Sequence, residues 1–118
     1  MTPLSQRLDC LFREGHSAPH PDLHKDPRTD EIDAFKAAAV LIAMTERKEG
    51  PGFLLLHRPS NMRAHPGQVA LPGGRIDPGE SAVEAALREA WEELGIPPDA
   101  VRVIGQTDTC LLYTSRCV

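Results

Sequence analysis

The chain has 118 residues, enough for one domain, and its 41% hydrophobic content is that of an ordinary globular protein. A net charge of -4 gives no general electrostatic case for binding nucleic acid or a membrane surface. Three Phe, one Trp and one Tyr are too few for a base-stacking surface. No apolar run approaches the roughly 20 residues of a membrane span. The first residues, with charges at Arg7 and Asp9, lack the apolar centre of a secretory signal. Cys10, Cys110 and Cys117 show no metal-type pairing, and their odd number argues against a disulfide framework. Free thiols in a reducing compartment make the expected location cytoplasmic.

In chain order, Leu4, Leu8, Leu11 and Phe12 share one helical face and predict a short N-terminal helix over residues 4–14. Residues 15–34 are rich in His, Pro and Asp, show no periodicity and read as a loop or linker. His16, His20 and His24 are spaced by four, but Pro19 and Pro21 argue against the helix that would make a metal site of them. The division expected is an N-terminal helix and linker over 1–34 and a domain over 35–118. Ala37–Met44 is a continuous apolar run, consistent with a strand buried on both faces or a core helix segment. With the turn at Glu46–Gly52 and a second apolar run, Phe53–Leu56, it predicts an antiparallel hairpin. Gln68–Leu71 and Val101–Ile104 read as further strands. Strands on both sides of one central helix suggest a mixed α/β layer.

That helix carries the chemistry. Asp77-Pro78-Gly79 is a turn, with Pro fixing φ and Gly free to take a positive one. Ser81 with Glu84 three residues on is a capping-box pattern that starts the helix. Gly95 supplies a left-handed stop, and Pro97 and Pro98 prevent a restart. Val83, Ala86, Leu87, Ala90 and Leu94 form one apolar stripe. Glu89, Glu92 and Glu93 project from one side of a single turn, with Glu80 just upstream. Like charges at this spacing cost an exposed helix only about 0.2–0.5 kcal/mol per pair. On spacing alone, then, a solvated acidic face and a site for a hard divalent cation both stand.

Gly74, Glu80, Arg88, Glu89, Glu92, Glu93, Gly95 and Ile96 lie in the register of the Nudix box, G-x5-E-x7-R-E-U-x-E-E-x-G-U, where U is a bulky aliphatic residue. The chain thus resembles the Nudix hydrolases, with Ala90 at the first U position the one departure. The resemblance implies an α/β fold, an α/β/α sandwich around a mixed β-sheet with a loop-helix catalytic motif. It also implies Mg²⁺- or Mn²⁺-dependent hydrolysis of a nucleoside diphosphate linked to another moiety. Within it, Glu89, Glu92, Glu93 and Arg88 are the catalytic set. Glu89 and Glu93 are the principal metal ligands, with Glu92 binding directly or through water and the Gly73 carbonyl as an additional oxygen. Arg88 pairs with a carboxylate such as Glu80 or Glu84.

Upstream, Leu54, Leu55, Arg58, Arg63, His65, Gly67, Val69, Pro72, Gly73 and Gly74 are similar to a signature that precedes the box in coenzyme A pyrophosphatases. Pro59 and Leu71 stand where Ser and Phe are usual. This implies coenzyme A or an acyl form of it as the small-molecule partner, cleaved to 3′,5′-ADP and 4′-phosphopantetheine. Arg58, Arg63, His65 and Arg75 are the candidates for substrate phosphate, a geometry to which Arg is suited. The alternatives are another nucleoside diphosphate derivative, such as ADP-ribose or an oxidised nucleotide, and a catalytically silent Nudix-like binding module. After Val101–Gly105 the resemblance leads one to expect more strands and a closing helix. The chain finishes instead with Thr107 to Val118, which from Cys110 on does not resemble them, so the expected domain is incomplete at its C-terminus.

Overall fold

The helix over the acidic motif forms because both of its ends are specified locally. In a computed structural model of the chain, which describes residues 3–18, 36–58, 67–107 and 109, α2 spans Ala82–Leu94. Ser81 stands outside it with φ -79° and ψ 165°, and its hydroxyl accepts from the Glu84 N–H at 3.1 Å. At the other end Gly95 takes φ 68°, and its N–H reaches back to the Trp91 carbonyl at 2.9 Å. The Gly95 bond is the 5→1 closure of a left-handed stop, and the Ile96 N–H reaches the Ala90 carbonyl at 3.3 Å. Gly79 has φ 80° in the preceding turn, where the Glu80 N–H bonds to the Asp77 carbonyl at 3.0 Å.

The other elements are α1 (Pro3–Ser17), β1 (Ala38–Val40), β2 (Met44–Arg47), β3 (Gly50–Phe53), β4 (Leu56–His57), β5 (Val69–Ala70) and β6 (Gly73–Arg75), with a 3₁₀ turn at Pro98–Ala100. Among the described residues three antiparallel ladders join the strands: β1 with β6, β2 with β3, and β4 with β5. In the first, Ala39 lies opposite Gly74 and Val40 opposite Gly73. Helices with antiparallel strands are the α/β class expected.

Contacts divide the chain into two compact units, one built on residues 36–101 and one joining the N-terminal segment to residues 102–111. In the first, α2 packs against β1 and β6. Among the described residues the core is small: Ala39, Ala85 and Ala86 with Leu41, Ile76 and Ala82 against them. Ala90 and Pro72 are also buried. In the second unit, Arg102 lies 3.8 Å from Asp9, which also pairs with Arg13 one helical turn on. Phe12 stacks on His16 and sits so close to Gly105 that an added Cβ there would lie 2.6 Å from the ring.

Three expectations need correction. The apolar run Ala37–Met44 is not one strand buried on both faces. It splits at residues 41–43, and in β1 only Ala39 is buried, because α2 covers one face while Val40 and Ile42 remain half-exposed. The hairpin does form, but its strands occupy the stretch read as a turn, with Lys48-Glu49 alone as the two-residue loop and Gly50 following at φ 122°. Val101–Ile104 is not a strand; it has no ladder partner among the described residues. Of the three spaced histidines, His16 ends α1, while His20 and His24 lie outside the described residues.

Ser81→Ala is expected to cost about 1 kcal/mol by leaving the Glu84 N–H without its cap. Ser81→Asp, which can accept the same bond, should restore the midpoint of urea unfolding. Equal midpoints for Ser81→Ala and the unsubstituted chain would show that the cap does not hold α2.

Candidate active site

Two adjoining rows of α2 face the sheet. Ala82, Ala86 and Ala90 make one, and Ala85, Glu89 and Glu93 make the other, since residues four apart share a row. Ala85, Ala86 and Ala90 are buried, whereas Val83, Leu87 and Leu94 are only half-buried. The apolar contact is therefore rotated towards the acids from the stripe that periodicity predicts. Periodicity ranks residues by hydropathy, and alanine ranks low although its size permits the closest approach. Glu89 and Glu93 consequently continue the row that Ala85 starts, and reach β6. The Gly73 N–H donates to Glu93 Oε1 at 2.9 Å.

Arg88 gathers the rest. Its Nε donates to Glu80 Oε2 at 2.7 Å and its Nη2 to Glu80 Oε1 at 3.0 Å, a bidentate pair. Nη2 also donates to the Arg75 carbonyl at 3.0 Å and lies 3.4 Å from Asp77 Oδ2. Nη1 donates to Glu89 Oε1 at 3.0 Å and Glu92 Oε2 at 3.3 Å. Glu80 Oε1 accepts in addition from the Asp77 N–H at 3.0 Å. The Arg88 hydrogen bonds, followed by that of Asp77, hold the Glu80 carboxyl below its ordinary value of 4.5. The bond to Glu80 in turn raises Arg88 above its ordinary value, more than partial burial lowers it. Of the two carboxylates proposed for Arg88 from sequence, Glu80 is the partner.

Arg58 is half-buried at the end of β4, where its N–H bonds to the Gln68 carbonyl and its carbonyl accepts from Gly67. Arg75 ends β6 with an exposed side chain, and its carbonyl is what Arg88 uses. Arg63 and His65 lie outside the described residues. The Gly73 N–H and the Arg75 carbonyl are contacts that sequence reasoning missed. Both are backbone groups far along the chain from their partners, and no residue type signals them.

Residues 34–116 match the NUDIX domain family. The chain belongs to that family. Among its relatives, proteins named uncharacterized Nudix hydrolase NudL are 56% identical in Enterobacter sp. (strain 638) and 55% in Escherichia coli (strain K12), each over 71 residues. Each match covers 59% of this chain and 36% of the relative. The protein of that name from Shigella flexneri is 46% identical over 86 residues, 72% of this chain and 42% of the relative. The chain thus spans well under half the length of these curated relatives. The MutT protein from Methanosarcina mazei Go1, of known crystal structure, is 41% identical, with 52% of this chain and 42% of that one covered at a TM-score of 0.44.

The Nudix box supplies an oxygen-only set of donors, which suits a hard divalent cation that takes one or two carboxylates and fills its remaining positions with water and substrate. Gly74 makes the space: a Cβ added there would lie 2.5 Å from Glu89 Oε1. Among the described residues, however, no group of three or more acidic, histidine or cysteine side chains converges closely enough to hold a metal ion as placed. The carboxylates are held instead by hydrogen bonds, Glu89 by Arg88 and Glu93 by the Gly73 N–H.

The folded-state value of Glu80 lies below the unfolded one. Its pair with Arg88 therefore stabilises the fold above the ordinary carboxyl value of 4.5, and that stability is lost as pH falls through the depressed value. In urea unfolding at a series of pH values from 7 to 3, Glu80→Gln should weaken the protein at neutral pH and flatten the acid limb. Parallel acid limbs for the two proteins would remove Glu80 as its source.

Proposed function

We propose that the chain is the metal-binding part of a Mg²⁺- or Mn²⁺-dependent hydrolase that cleaves the diphosphate bond of coenzyme A or an acyl-coenzyme A. The observation that carries the hydrolase reading is the placement of Glu89 and Glu93 on the sheet-facing row of α2, within the motif of the family. The residues upstream, from Leu54 to Gly74, support the choice of substrate by their likeness to the coenzyme A pyrophosphatase signature. The reaction adds one water across the diphosphate and yields 3′,5′-ADP and 4′-phosphopantetheine. The work belongs to a cytoplasmic enzyme acting on a small nucleotide derivative. Among the described residues no helix is long and apolar enough to cross a membrane.

Glu89 and Glu93 would hold the cation, with Glu92 and the Gly73 carbonyl as further oxygens. When bound, the cation neutralises phosphate charge and lowers the pKa of water. Arg88 fixes the loop 75–80 to the helix through Glu80, so that the acids keep one orientation relative to β6. Arg58, Arg63, His65 and Arg75 bind and orient the substrate phosphates; a planar guanidinium matches two phosphate oxygens at once.

Incubation with coenzyme A and Mg²⁺ or Mn²⁺, followed by product analysis, tests this reading. Both nucleotide and pantetheine products are expected. Glu93→Gln should keep the far-ultraviolet spectrum and lose turnover by about 100-fold or more, since changes merely next to a metal ligand already cost about 10–100-fold. Near-normal turnover of Glu93→Gln would remove Glu93 from the ligand set. Mn²⁺ uptake without hydrolysis of coenzyme A, ADP-ribose or an oxidised nucleotide would favour the silent binding module.

A further inference from the structure

The two glycines of β6 are both closely approached, but by different things. A Cβ at Gly73 would meet the β1 backbone, 2.5 Å from the Ala39 carbonyl oxygen and 2.8 Å from Val40 Cα. A Cβ at Gly74 would meet the carboxylate of Glu89 instead, 2.5 Å from Oε1, 2.6 Å from Cδ and 3.0 Å from Oε2. Neither glycine has a positive φ, so neither is needed for backbone conformation. Backbone cannot yield to an added methyl, whereas the end of a glutamate side chain can. Gly73 is therefore a requirement of strand pairing, and the demand at Gly74 comes from one movable carboxylate.

We infer that Gly74 is a positioning residue that keeps the Glu89 carboxylate at β6, and that a methyl group there drives the carboxylate away while sparing the fold. The inference rests on the reading of Glu89 as a metal ligand. The carboxylate is also held by Arg88, whose Nη1 donates to Oε1 at 3.0 Å, and its side chain is only 18% exposed. Glu93 is held to the same strand one residue earlier, where the Gly73 N–H donates to it at 2.9 Å, so a shift of the Glu89 carboxylate off β6 changes its position relative to Glu93. The two acids sit on consecutive residues of one strand, one by a hydrogen bond and one by an absent side chain.

The test uses Gly74→Ala in the whole chain, with two readouts. In the metal-free protein carrying ¹³C-glutamate, the Glu89 carboxyl resonance, identified by its loss in Glu89→Gln, should move while the thermal midpoint stays close to that of the unsubstituted chain. Gly73→Ala should do the reverse, lowering the midpoint. In Mn²⁺ titrations followed by electron paramagnetic resonance, Gly74→Ala should weaken binding by roughly 10-fold or more. In the Glu89→Gln background the same substitution should change Mn²⁺ affinity little, because its effect runs through Glu89. An unmoved Glu89 resonance, or an equal loss of affinity in both backgrounds, would overturn the inference. If the unsubstituted chain takes up no Mn²⁺, the hydrolase reading fails, and the carboxyl resonance alone decides the role of Gly74.

Discussion

The bidentate pair between Arg88 and Glu80 is the constraint on which the site depends. Glu80 belongs to the loop that leaves β6, and Arg88 sits two turns into α2, so the pair joins the loop to the helix it introduces. A surface ion pair of ordinary geometry contributes little, because solvent screens it and two long side chains lose freedom. Here both oxygens of Glu80 are engaged, its side chain is mostly withdrawn from water, and Arg88 also bonds to the Arg75 carbonyl. A planar guanidinium can make these contacts together, and an ammonium group cannot. The same group reaches Asp77, Glu89 and Glu92, so four carboxylates surround one guanidinium and a local excess of negative charge remains. Solvent screens part of that excess at Asp77 and Glu92, and a divalent cation would relieve the rest.

Charge alone would not bring the acids to the sheet. Their approach depends on small residues on both sides: Ala85, Ala86 and Ala90 on α2, and Gly73 and Gly74 on β6. A helix that packed through leucines would stand further from the strands, and carboxylates in its rows would meet solvent before they met a backbone N–H. The modest core follows from the same choice, since buried methyl groups remove little apolar area from water. Ala90, the one departure from the box pattern, is fully buried on this side of the helix and extends the run of small contacts. Closeness at the site and thinness of the core are thus two results of one packing arrangement.

What could be read from sequence was what depends on neighbours in the chain. The Ser81 cap, the Gly95 stop and the turn at Asp77-Pro78-Gly79 are specified within a few residues, and each stands where it was expected. The register of the acids followed from the same local regularity. Burial did not. Val40 and Ile42 are as apolar as any core residue, yet whether a neighbour covers them is decided by elements distant in sequence. Val101–Ile104 has strand-like composition and, among the described residues, no ladder partner. The contact of Gly73 with Glu93 spans twenty residues and uses a backbone group every amino acid but proline possesses, so no residue type could have announced it. Family likeness supplied what local physics could not, namely the reading of this acidic turn as a site rather than a solvated face.

The two principal acids are held by unequal means. Glu93 is exposed and accepts one bond from a neutral N–H, whereas Glu89 is less exposed, accepts from a charged guanidinium and lies close against Gly74. A hydrogen bond to a charged partner is roughly twice as strong as a neutral one, and a confined side chain has few other rotamers to adopt. Reorientation is therefore easier for Glu93 than for Glu89. Glu93 is thus the readier of the two to turn, while Glu89 leaves its place only under a displacing group such as a methyl at Gly74. Glu89 meets Arg88 of the helix and Gly74 of the strand, and Arg88 in turn holds Glu80 of the loop, so all three elements bear on one carboxylate.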